Sequence, residues 1–163
     1  MPPLKPLSED FIPKALVKAK HYRLLNEPWQ AESICRDVLN VDPDNQLAIL
    51  YLVLAISDRF HISGTSLRSE ALDFCKKLDG EYEQKYYSGI VEERCGRAAL
   101  GRTTPRAGYI AFEFYQRAMA LFEEAENIQP ENNEDAILRW NACARRIKEN
   151  NLQAAPEEDR ILY

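Results

Sequence analysis

Residues 28–43 read Pro28-Trp29-Gln30-Ala31-Glu32-Ser33-Ile34-Cys35-Arg36-Asp37-Val38-Leu39-Asn40-Val41-Asp42-Pro43. Ala31, Ile34, Cys35, Val38 and Leu39 fall three and four residues apart, the period of one helix face. Pro28 suits a first helical turn, where its missing N–H costs nothing, and Pro43 pushes Asp42 out of helical geometry. A helix thus starts and stops within the stretch. The same grid returns as Ala118, Phe122, Ala125 and Pro130, and its first part as Ala71, Cys75 and Leu78.

Upstream, residues 9–25 place Ile12, Ala15, Leu16, Ala19 and Tyr22 on one stripe. Asn26 is expected to cap the helix that Pro28 opens. Downstream, residues 45–59 are apolar on every side between Leu47 and Ile56, which predicts a central helix. Residues 61–65 read as a loop, followed by a helix with Leu67, Ala71, Leu72, Cys75 and Leu78 that breaks at Asp79-Gly80. Helices are expected over 81–100 and, after the break Gly101 to Pro105, over 105–128. A last one uses Ala136, Trp140, Cys143 and Ile147. The reading is all-α, with an arm at 1–8, a helical domain at 9–149 and a mobile acidic tail at 150–163.

The 163 residues, 45% hydrophobic and 29% charged, suit one folded domain. A net charge of -5 argues against nucleic acid or an anionic membrane as partner. Residues 1–14 hold four prolines and no basic stretch leading into an apolar core, unlike a secretion signal. The longest apolar run, 47–56, is half of the roughly 20 residues a membrane span needs. A cytoplasmic protein is expected. Cys35, Cys75, Cys95 and Cys143 form no C-x-x-C pair, so they are read as buried free thiols in a reducing compartment.

The repeated small residue, aromatic or apolar residue, small residue and closing proline resemble the second half of the tetratricopeptide repeat. Ala19 and Tyr22 stand at the small and aromatic positions of its first half, so residues 12–45 look like one complete unit. The anchoring alanines lie 40 and 47 residues apart, against a family period of about 34. Insertions are expected at 59–66 and from the 81–100 helix to the start of the next. The resemblance implies a right-handed superhelix of antiparallel helix pairs: about three units and a closing helix, seven helices in all. It also implies a non-catalytic adaptor that binds a peptide or protein in a concave groove. The groove would be lined by Lys20, Arg23, Leu50, Leu54, Asn141 and Arg145, joined by Tyr86 and Arg94 if the 81–100 helix keeps register. The lysine and asparagine pattern that clamps chaperone tails is absent, with Leu16 and Lys20 at those positions.

Arg94, Arg97, Arg102 and Arg106 form a basic cluster with two readings. They pair with Glu92, Glu93 and Glu113, or they capture an acidic peptide or a C-terminal carboxylate, for which arginine's planar fork is suited. A homodimer through the 45–59 helix or the Trp140 helix is the alternative to a foreign partner. Gly96-x4-Gly101-Arg102-Thr103 falls one lysine and one strand short of a phosphate-binding loop, leaving a helical enzyme or nucleotide binder as the third reading. His21 and His61 have no ligand-spaced companion, and Glu92-Glu93 and Glu123-Glu124 have no nucleophile beside them. No metal, cofactor or catalytic residue is expected.

Overall fold

The computed structural model describes residues 1–160, and these are helical without a strand. Seven helices span eight residues or more: α1 (Ile12–Leu24), α2 (Pro28–Val41), α3 (Gln46–Asp58), α5 (Arg68–Cys75), α6 (Glu81–Leu100), α7 (Ala107–Asn127) and α8 (Asp135–Glu149). Two single turns, α4 (Phe60–Ser63) and α9 (Glu157–Arg160), complete the set. The all-α expectation holds. Of the expected mobile tail, Ile161, Leu162 and Tyr163 lie outside the described residues, while Leu152 packs against the core.

Each boundary has a local cause. Asn26 takes φ 61° and ends α1, with the Glu27 N–H donating to the Tyr22 carbonyl at 2.8 Å. This is a left-handed helix stop. Asn26 therefore terminates the first helix rather than capping the second, whose N-cap is Glu27 and makes no side-chain bond. Asn45 does cap α3, its side chain accepting from the Ala48 N–H at 2.9 Å. The expected loop at 61–65 is instead α4 and a 3-10 turn, Gly64–Leu67. Phe60, fully buried, pins that segment to the core, and Gly64 at φ 70° supplies the left-handed corner. Helix α7 begins at Ala107 and not at Pro105.

Helices consecutive in the chain pack side by side, α1 on α2, α2 on α3, α3 on α5, α5 on α6, α6 on α7 and α7 on α8. In addition, α1 touches α3, α3 touches α6 and α6 touches α8. The grid positions other than the closing prolines, Ala31, Cys35, Val38, Ala71, Cys75, Leu78, Ala118, Phe122 and Ala125, are buried, while Pro43 and Pro130 are exposed. The central core joins Cys35, Leu52, Ile56, Phe60, Cys75 and Val91, and a second joins Ile90, Tyr115, Phe122, Ala136 and Cys143.

Two glycines set the closest approach. A Cβ on Gly89 would lie 2.6 Å from Phe122 Cε1, and one on Gly96 would lie 3.1 Å from the Tyr115 ring. Gly89 and Gly96 are two helical turns apart, as are Tyr115 and Phe122 in the opposite sense, so α6 and α7 are antiparallel with rings seated on glycines. The eight-residue α5 is tied down through its C-terminal backbone: Gln46 donates to the Lys77 carbonyl and accepts from the Asp79 N–H, and Gln84 donates to the Leu78 carbonyl.

Candidate functional site

Arg23 closes α1 and Asp58 closes α3, which brings an arginine and a carboxylate to the same end of two touching helices. Arg23 Nε donates to Asp58 Oδ2 at 2.8 Å, and Arg94 of α6 reaches Asp58 Oδ1 at 3.0 Å. Arg94 also donates to the Leu54 carbonyl at 2.9 Å and to Ser57 Oγ at 2.6 Å. Those carbonyl and hydroxyl contacts hold its guanidinium inside the protein. Burial, and then the neighbouring Arg23, Arg139 and Arg97, lower its pKa to about 10 against the opposing pull of Asp58; it stays charged at neutral pH.

The arginine cluster is therefore divided differently from either expectation. Arg94 is structural, and its partner is Asp58, not Glu92, Glu93 or Glu113. Glu92, only 4% exposed, receives Arg68 of α5 through both oxygens, and Glu93 receives Arg139 of α8 at 3.2 Å. Arg117 takes Glu113 at 3.6 Å. Successive residues of α6 point to different neighbours, so adjacency in sequence did not predict pairing. Arg97, one turn beyond Arg94, is exposed and makes no ion pair among the described residues.

Arg97 instead lines an open cleft of about 390 Å³ together with Arg23, Asn26, Pro28, Asp58 and His61. Both Asp58 oxygens are already taken, one by Arg23 and one by Arg94. His61 Nδ1 lies 2.9 Å from the Asp58 carbonyl, which assigns the proton to that nitrogen and leaves Nε2 as the ring's acceptor. Its arginines offer donors that no free carboxylate in the cleft answers. Asp58 draws no reading from the sequence, and Asn26 and His61 are read there only as a cap and as a histidine without a ligand-spaced companion, because no local pattern announces a cleft that forms between helices.

The remaining expected residues separate into two sets. Leu50 and Leu54 are half-buried on α3, and Leu54 packs with Tyr86 in the second core. Tyr86 stacks on Tyr82 at 5.6 Å between ring centroids and meets Tyr87 edge-on at 5.1 Å. Lys20 on α1 and Arg145 on α8 are exposed. Asn141 departs from the group, because it lines a separate shallow cleft with Glu123, Glu126, Ile137 and Trp140, against α7.

The other chemical candidates are absorbed by structure. Gly96 lies inside α6 against Tyr115, where a phosphate-binding loop cannot form, and the described residues contain no strand to precede one. Glu123 accepts from Trp140 Nε1 at 2.9 Å and Glu124 pairs with Lys85. All four cysteines are free and buried, and burial pushes the thiol pKa of Cys35, Cys95 and Cys143 up to about 12 and that of Cys75 to about 11. Among the described residues no three His, Cys, Asp or Glu side chains gather as metal ligands, and no single helix is long and apolar enough to cross a membrane.

No family model, curated protein or solved structure matches the chain.

Proposed function

We propose that the chain is a non-catalytic protein-interaction module, with its helix pairs stacked in the tetratricopeptide manner as a right-handed superhelix and its inner layer offered to a peptide or protein. The observation that carries this reading is the alternation of contacts: α1, α3, α6 and α8 touch in succession, while α2, α5 and α7 fill the spaces between them. Such alternation favours stacked pairs over a bundle with a closed centre, and it gives the first helices of each pair one shared face. Lys20, Arg23, Leu50, Leu54, Tyr86 and Arg97 all belong to helices of that layer. Apolar and cationic side chains so arranged suit an acidic, partly hydrophobic peptide.

The test is a peptide array probed with the full chain, then with a Lys20→Glu, Arg97→Glu variant. Both positions are exposed, so circular dichroism should be unchanged while binding to acidic peptides falls. Absence of saturable binding to any peptide, or undiminished binding by the variant, overturns the proposal. Self-association is the second reading. It is favoured by Leu24, Leu25 and Trp29, which are 76%, 55% and 62% exposed around the α1–α2 turn. Of the two faces expected for a dimer, α3 is largely consumed inside the monomer, leaving α8. Sedimentation showing monomer alone at high concentration removes that reading.

A further inference from the structure

The cleft at the ends of α1 and α3 carries an uncompensated charge. Arg23, Arg94 and Arg97 meet there around a single carboxylate, Asp58. Two positive charges are left over, and one of them, Arg97, has no ion-pair partner among the described residues. A peptide carboxylate would neutralise one. A phosphate monoester carries about -1.5 to -2 at neutral pH and presents three acceptor oxygens.

The donors match in number as well as in charge. Asp58 holds Arg23 through Nε, which fixes the plane of that guanidinium and leaves its terminal nitrogens for a ligand. The Arg97 guanidinium and the Asn26 side-chain amide supply the rest. Arg94, buried beneath, is held by Leu54 and Ser57 and adds charge without moving. The position of Arg23 is thereby set before any ligand arrives, which lowers the ordering cost of binding. At about 390 Å³ the cleft has room for a phosphoryl group and the side chain that bears it, compared with the roughly 30 Å³ share of one water.

We infer that this cleft is the seat for a phosphorylated side chain of a partner peptide, gripped by Arg97 and the terminal nitrogens of Arg23. The inference rests on the reading of the chain as a peptide-binding module and names the chemistry of one subsite. A peptide source is favoured over a phosphorylated lipid headgroup because a net charge of -5 repels an anionic bilayer. It is favoured over free phosphate because Leu24, Leu25 and Trp29, the chain neighbours of the lining residues Arg23, Asn26 and Pro28, are exposed apolar side chains that a lone anion would not use.

The experiment is fluorescence anisotropy of the full chain with a labelled five-residue peptide bearing phosphoserine between two leucines, beside its serine and glutamate versions. The phosphopeptide should bind at least about tenfold tighter than either, and Arg97→Gln, at an exposed site, should lose about tenfold or more. Equal affinity for the glutamate peptide, or full retention by Arg97→Gln, overturns the proposal. So does competition by inorganic phosphate at the peptide's own affinity, or binding seen only with vesicles that carry a phosphorylated inositol headgroup. If the array described above still yields peptides sensitive to the Lys20→Glu, Arg97→Glu variant while phosphoserine confers no gain, the module stands and this subsite falls.

Discussion

The two halves of the molecule build the same helical grid from opposite materials. In α2 the central grid position is Cys35, a small side chain, and the volume around it is filled from the facing α3 by Leu52 and Ile56. In α7 the equivalent position is Phe122, and the facing α6 answers with Gly89, which has no side chain at all. What is kept is the summed volume across each pair and not the residue at either side, as close-packing requires. The halves also differ in thiol content: Cys35, Cys75 and Cys95 share the N-terminal core, while Cys143 is alone in the other.

Alkaline pH should break the comparison most severely. Burial raises the folded-state thiol pKa from near 9 to about 12 for Cys35 and to about 11 for Cys75. The unfolded thiols ionise first, so the stability that their neutral burial confers is complete below pH 9 and is lost as pH climbs toward 11 and 12. Each thiol contributes roughly 1.4 kcal/mol per pH unit across that window. Titration followed by Trp29 and Trp140 fluorescence should show the N-terminal half yielding first; coincident transitions in both halves would contradict the assignment.

Truncation comes next. Phe122→Ala should cost about 3–5 kcal/mol in urea unfolding, whereas Cys35→Ala should cost only about 1 kcal/mol. Equal losses would show that the two grid positions are filled alike. Gly89→Ala sharpens the point through its sign. In an unobstructed helix that change adds about 1 kcal/mol of stability, but here the new methyl meets the Phe122 ring, and overpacking of about 1–3 kcal/mol should leave a net loss. Adding Phe122→Leu should relieve part of it. The smallest effect belongs to Lys76→Ala, which removes an exposed pair with Asp73 and should shift stability by less than about 0.5 kcal/mol.

The sequence made the helices legible wherever a boundary was written locally. Pro28, Pro43 and Pro130 mark where helices begin or have ended, and the buried alanines and cysteines fell on the predicted faces. Residues 61–65 look like a loop because of Ser63, Gly64 and Thr65, while the ring of Phe60 that fastens the helical segment there is a tertiary contact. The cleft was half visible. Arg23, Arg94 and Arg97 could be named, but Arg94 belongs to Asp58 across 36 residues, and that pairing arises only once α3 lies against α6. Gly96 reads as a motif fragment and Gly89 carries no signal; their use as seats for rings depends on the register of α7, whose Tyr115 and Phe122 lie 19 and 33 residues further on.

At eight residues, α5 is well below the roughly 12–15 that let a helix persist unaided in water. It is nonetheless the element that joins α3 to α6 in the chain. Its integrity is delegated to Gln46 and Gln84, whose side chains grip backbone groups at its end. Amide hydrogens at 76–79 should then exchange with solvent sooner than those of α6 and α7. A transient release there would loosen α5 alone, while α3 and α6 stay joined through Asp58, Arg94 and their shared core, making two glutamines the governors of a local motion.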